Sequence, residues 1–507
     1  MLSKVLSGAI VGLDAILITI EVDIALMGLP SFAMVGLADR ALEESKERVR
    51  SAIRNSGAKF PDHKITVNLA PADLPKEGPI FDLPIALGLL ISSGQIDTKI
   101  PLDNTLVAGE LSLDGSLRKV NGILSLALLA KKSNIKRVIV PRENAYEASL
   151  VEGVEVIAVD SLGQVLRMFL GQEEFKPVKY KKLSFDNNLE YGYDFSQIKG
   201  QESAKRALEI AAAGGHNILL KGPPGAGKTL LARSFPSILP SLTFEEAIEV
   251  TKIYSIAGLL DGQTIITQSP FRAPHHSASH IGLIGGGNNI RPGEITLAHR
   301  GVLFLDEAPE FPRLALEALR QPLEDHKITI SRSSGSLTFP SKFTLFLAQN
   351  PCPCGFLGDR RHTCSCLPGQ IAKYKRRLSG PLLDRIDIHL EVPAVEVDKL
   401  SSDLLTESSS VIRDRVIKAR EIQRQRLKGS HVNTNSEMGN KEIKQFCVVT
   451  QEGLDLLKRA ISSLNLSARS YHRVLKLSRT IADLSSSPNI EVQHIAESLQ
   501  YRGREES

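Results

Sequence analysis

The chain has no tryptophan, and aromatic residues make up only 5% of its 507 positions. Any contact with nucleic-acid bases must therefore do without stacking on an indole. No uncharged apolar run is long enough to span a bilayer, so no membrane-spanning helix and no membrane partner are expected. One stretch imitates a signal peptide, the apolar residues after Lys4, but Asp14, Glu21 and Asp23 interrupt it. There Ile16, Ile18, Ile20, Val22 and Ile24 alternate with Leu17, Thr19, Glu21 and Asp23. That is the period of a strand, and the expected location is the cytoplasm. Neither sign of charge dominates: 62 Lys and Arg against 57 acids leave +5, which permits contact with nucleic acid without demanding it. Internal repeats are absent. A hydrophobic share of 42% excludes a disordered chain, and this length supports about three domains with real cores.

What is present is a phosphate-binding pattern. Gly222, Pro223, Pro224, Gly225, Ala226, Gly227, Lys228 and Thr229 follow an apolar strand at 217–221 and open a helical run at 230–233. In that setting backbone N–H groups wrap phosphates, Lys228 reaches the outer phosphates of ATP, and Thr229 offers its hydroxyl to Mg²⁺. Downstream, Gly301-Val-Leu-Phe-Leu reads as a buried strand ending in Asp306 and Glu307. Asp306 is placed to hold the Mg²⁺ through water, and Glu307 to polarise the water that attacks the γ-phosphate. A third apolar strand, 342–349, delivers Asn350, an amide that can orient that water.

These positions together resemble the AAA+ ATPases, in the branch that holds the magnesium-chelatase motor subunit and the MCM helicases. Pro381-Leu-Leu-Asp384-Arg385-Ile-Asp387 is similar to that branch's arginine-finger segment, and Ser467-Ala-Arg469-Ser to its sensor-2 segment. The resemblance implies that Arg385 reaches the γ-phosphate of a neighbouring subunit, with Arg376 and Arg377 as rivals for that role.

The fold class is α/β, in three segments: an α+β front, a motor with a parallel sheet, and a helical lid. Residues 1–171 mix strands with helices: 39–56 shows helical spacing and 64–69 reads as a strand. A charged, aperiodic linker occupies 172–192, the nucleotide motifs fall in 193–393, and 394–507 is helical, with amphipathic runs at 411–427, 451–464 and 469–484 that form a lid. Within that lid, 429–440 is polar and is expected to be a flexible loop. In the first segment, Leu74 to Asp82 followed by apolar 83–90 resembles the nucleophile segment of the Lon protease domain, an S5-domain-2-type α+β fold. Ile80 stands where that family has its Ser and Leu124 where it has its Lys. An apolar pair can neither make nor activate an oxygen nucleophile, so a protease is excluded.

With this front segment ahead of the motor, the whole chain resembles the ComM/YifB family of bacterial ATPases associated with natural transformation. Signatures include Val35-Gly-Leu-Ala-Asp39, the run Glu44 to Ile53, and Phe271-Arg-Ala-Pro-His275-His276. The resemblance implies a homo-oligomer, a hexameric helicase that drives branch migration on branched or single-stranded DNA. The alternative is the motor of a metal chelatase, which on this resemblance lacks the Lon-like front. Candidate phosphate contacts to DNA are Arg272, His275 and His276 in a Gly-, His- and Arg-rich insertion, and Lys327 and Arg332 in a hairpin pattern at 324–335. Finally, four of the five cysteines, Cys352, Cys354, Cys364 and Cys366, fall between Asn350 and Arg385. Two readings stay open: a structural Zn²⁺ site, with His362 as a substitute ligand, or a turn-rich loop of free thiols. Cys447, alone in a helical region, is expected in the core.

Overall fold

A computed structural model describes residues 2–25, 29–36, 40–74, 76, 78–96, 102–179, 192–287, 290–332, 335–359, 362–394, 407–464 and 467–502. The chain divides into two compact units, one of 1–184 with 247–266 and one of 185–246 with 267–507.

The first unit is built on a seven-stranded sheet, ordered Ser31–Val35, Lys64–Ala70, Asp14–Ala25, Leu2–Val11, Thr105–Val107, Arg137–Pro141, Glu155–Val159. The alternation at 14–25 does what a half-buried strand requires: Ile18, Ile20 and Val22 are fully buried. The nucleophile-like segment forms a short turn, Pro79–Phe81, running into the helix Asp82–Ser92. Ile80 is buried there and Leu124 is sealed inside the helix Ile123–Lys132, so both apolar residues serve as core. At the head of the first helix, buried Asp82 takes Nε of Arg48 at 2.7 Å and the N–H of Leu111 at 3.2 Å, which balances its charge. The stretch 247–266 belongs to this unit: the Ser255 hydroxyl donates to the buried Glu147 carboxylate and accepts the N–H of Gly122 at 3.0 Å, while Lys252 pairs with Asp14 at 2.6 Å.

In the second unit the sheet is five-stranded and parallel, ordered Phe271–Arg272, Val302–Leu305, Thr344–Gln349, Ile218–Lys221, Ile388–Glu391. Its strands are continuous apolar runs, as a parallel sheet covered on both faces demands. One face packs on Phe235, Ile238 and, from the lid helices, Ile412, Val416, Leu477 and Ile481; the other on Phe311, Leu316 and Leu382. Lys221 pairs with Gln349 and Leu305 with Leu347, so the residues that follow these three strands leave the sheet at one edge, the carboxyl end, where open α/β sheets bind ligands.

The lid helices run Ser409–Arg426, Gln451–Leu464 and Ala468–Leu484, close to the amphipathic runs. The polar stretch 429–440 differs from the expectation of a flexible loop. It carries a turn, Asn435–Glu437, whose buried Asn435 donates to Asp483 at 2.8 Å and to Thr480 at 3.0 Å and accepts Nη2 of Arg426 at 2.9 Å. At Thr434 and Asn435 polarity reflects burial, while Gly429, His431, Asn433, Gly439 and Asn440 are exposed. Among the described residues no helix is long and apolar enough to cross a membrane.

Candidate functional site

The phosphate loop connects the strand Ile218–Lys221 to the helix Lys228–Ser234. At its start only glycine fits: a Cβ on Gly222 would lie 2.1 Å from the carbonyl oxygen of Val392. Lys228 points back into the loop, its Nζ donating to the carbonyls of Gly222 at 2.6 Å and Pro223 at 2.9 Å and to Oδ1 of Asn350 at 3.1 Å. Burial pulls its ammonium below the ordinary value, against the charges of Asp306 and Glu307. Next in sequence, Thr229 donates to Oδ2 of Asp306 at 2.8 Å, while Oδ1 of Asp306 accepts the N–H of Glu307 at 3.0 Å. Three motifs far apart in sequence thus meet in one place: an ammonium, a hydroxyl beside a carboxylate, and an amide. This donor set fits a triphosphate with Mg²⁺, with Thr229 and Asp306 as the hard oxygen ligands that ion takes.

Glu307 has a left-handed backbone, φ 48°, which swings it off the strand axis. Its carboxylate is half exposed, and Nδ1 of His276 lies 3.8 Å away. The structure therefore brings His276, a candidate DNA contact, beside the candidate base, since the strand Phe271–Arg272 that leads to it pairs in parallel with Val302–Leu305. No spacing in the sequence announces that pairing. Arg272 is held by Glu294 through two bonds of 2.7 Å, and His275 stacks on His276 with ring centroids 4.0 Å apart while bonding Ser277 at 2.9 Å. The insertion around them contains a two-stranded pair, Gly285–Gly286 with Arg291–Pro292.

The later hairpin lies further along than 324–335: Lys327–Arg332 pairs antiparallel with Gly335–Pro340, Glu324 and Asp325 end the preceding helix, and Lys327 is exposed at the hairpin's base. The side chain of Arg332 lies outside the described residues. Arg385 and Arg469 converge on one carboxylate, Glu324, in an open cleft of about 450 Å³ that His326, Arg473 and Lys476 also line. Arg385 further donates to the carbonyl of Pro381 at 2.5 Å. Of its rivals, Arg377 pairs with Glu310 at 2.5 Å, and Arg376 is exposed at the end of the helix Pro368–Lys375. Glu324 as the shared partner was invisible in the sequence.

The four clustered cysteines place their sulfur atoms within 4.8 Å of one another. His362 stands outside that group, its ring against Phe356 at 4.8 Å. Cys447 is buried in the lid core, where burial pushes its thiol up to about 12.

Comparison with known proteins bears on all segments. Residues 194–400 match the family model described as magnesium chelatase, subunit ChlI; 406–502 match its C-terminal model, and 20–144 a model described as subunit ChlI of Mg-chelatase. Because the front segment matches a model named for a chelatase subunit, its presence does not separate a chelatase motor from other readings. The chain is 45% identical to competence protein ComM of Haemophilus influenzae, covering 99% of this chain and 97% of that protein. It is 44% identical to the uncharacterized protein YifB of Escherichia coli, with 99% and 97% covered. Lon protease 2 of Bacillus subtilis is 36% identical over 125 residues, 24% of this chain and 22% of the protease.

Proposed function

The chain belongs to the ComM/YifB family of magnesium-chelatase-like AAA+ proteins, and from that premise we propose that it is a ring-forming, ATP-driven motor that moves branch points in recombination intermediates, as in natural transformation. The observation that carries this reading is the meeting of Lys228, Thr229, Asp306 and Asn350 in one place, in a chain similar end to end to a competence protein. Lys228 exchanges its backbone carbonyls for phosphate oxygens, and Thr229 with Asp306 holds Mg²⁺, which neutralises charge on the phosphates. Glu307 takes the proton of the attacking water while Asn350 orients it. Arg385 and Arg469, gathered on Glu324, serve a neighbouring subunit's nucleotide. Lys327 and Arg332 carry the stroke to DNA phosphates.

The test is ATP hydrolysis with and without single-stranded, duplex and four-way-junction DNA, paired with a junction-migration assay. Stimulation by junctions with migration supports the reading; ATPase indifferent to all three DNAs sinks it. The chelatase motor is the second reading, favoured by the names of the three matching family models. It predicts DNA-independent ATPase and metal insertion into a tetrapyrrole only with larger partner subunits.

A further inference from the structure

Between the end of the strand Thr344–Gln349 and the helix that starts at Pro368, the described residues run through irregular structure. So long a connection needs something to hold it. Hydrophobic burial does not, because among the described residues of 353–367 only Gly355 is buried, while Leu357 and Leu367 are exposed. What the loop has at its centre is sulfur. Sγ of Cys352 lies 3.4 Å from Cys354 and 3.6 Å from Cys364, Cys354 lies 3.6 Å from Cys364, and the N–H of Cys354 points to Cys366 at 3.4 Å. All four are free cysteines. A tetrahedral Zn²⁺ with bonds of about 2.3 Å sets its sulfurs about 3.8 Å apart, close to these separations. Four soft thiolates in a tetrahedron select zinc or iron over the oxygen-loving cations.

The loop also touches the nucleotide site. Gly355 presses on the phosphate loop so closely that a Cβ there would lie 2.6 Å from Cγ and Cδ of Pro224. Asn350, two residues before Cys352, is the acceptor for Lys228. On the far side of the loop, buried Tyr374 hydrogen-bonds the backbone of Asn350.

We propose that Cys352, Cys354, Cys364 and Cys366 bind one zinc ion, and that the loop so clasped holds the phosphate loop and Asn350 in their nucleotide-binding positions. This goes beyond the motor reading, since metal content and nucleotide affinity are measured without DNA. The test uses the untagged full chain, expressed with supplemented zinc and purified reduced. Mass spectrometry of the metal should give one zinc per chain, lost in Cys364→Ser/Cys366→Ser and kept in Cys447→Ser. Because the double variant can misfold, zinc is also released from the parent with a mercurial and chelator and then restored. Affinity for a non-hydrolysable ATP analogue should fall at least about tenfold on release and recover with zinc. Reduced, folded protein carrying no metal overturns the site, and iron in place of zinc overturns the choice of ion. Unchanged nucleotide affinity after release overturns the clasp.

Discussion

At the scale of single residues, the proposed function divides two tasks between Asp306 and Glu307. Thr229 holds Asp306, whereas Glu307 has its carboxylate half exposed, with Nδ1 of His276 at 3.8 Å. Glu307→Gln should therefore keep ATP binding and lose about 10²- to 10⁴-fold in turnover, the usual worth of a general base. Lys228→Ala should instead weaken binding; equilibrium binding alongside steady-state hydrolysis separates the two. His276 is beside Glu307, with Nδ1 3.8 Å from the carboxylate. His276→Ala is expected to change the hydrolysis rate severalfold with nucleotide affinity unchanged, and a variant with parental turnover would return His276 to the surface. The sequence displayed Lys228, Asp306 and Glu307 because each lies in a short motif at a strand end. It hid the His276 contact and the Arg272–Glu294 pair, which depend on which strands lie side by side.

Elements were legible where a periodic run folds onto itself. The lid helices fall where their patterns put them, whereas the hairpin expected at 324–335 forms from Lys327–Arg332 with Gly335–Pro340. Changing both Lys327 and Arg332 to Ala should leave basal ATPase intact, abolish most DNA stimulation, and make the salt dependence of DNA binding shallower by about one log-log unit per lost phosphate contact. Titrations at several salt concentrations would show it, and an unchanged slope would remove the hairpin from the DNA path. The centre of the stretch 429–440 was not legible because polar composition looks alike in water and in a buried network. There Asp483, fully buried, takes Nη2 of Arg426 at 2.6 Å and Nη2 of Arg479 at 3.0 Å. Asp483→Asn should destabilise the second unit by about 3 kcal/mol, since two guanidinium groups lose their buried counter-ion. Denaturant unfolding measures it.

For the molecule as a whole, pH reports on histidines that folding shields partly or wholly from water. Burial pushes the His389 imidazole down to about 4, with Arg502 and Arg473 adding to it, and burial also lowers His326 and His494. The unfolded chain takes up these protons near pH 6.5 and the folded chain only below that, so stability should fall as pH drops from about 6.5 towards 4. His389→Gln should flatten that slope in melts between about pH 7.5 and 5; an identical slope would place the dependence elsewhere. Assembly has its own test. Mixing Arg385→Ala with Lys228→Ala protein should restore some ATPase at mixed interfaces, provided native mass spectrometry shows mixed rings. The order of segments along the chain could be read from its motifs. That 247–266 folds with the first unit could not, because nothing in a linear pattern says that a stretch between two motor motifs packs elsewhere.

That excursion makes the first unit a composite of non-adjacent sequence, with Ile248 and Ile265 packed on its core and Ser255 donating a hydrogen bond to Glu147. The protein is consequently not a string of beads that evolution or an engineer can recombine at one junction. A front piece grafted as 1–184 alone would leave the Glu147 carboxyl without its hydroxyl donor and an apolar seat uncovered. The same piece carrying 247–266 on a linker should be the soluble, cooperatively melting one.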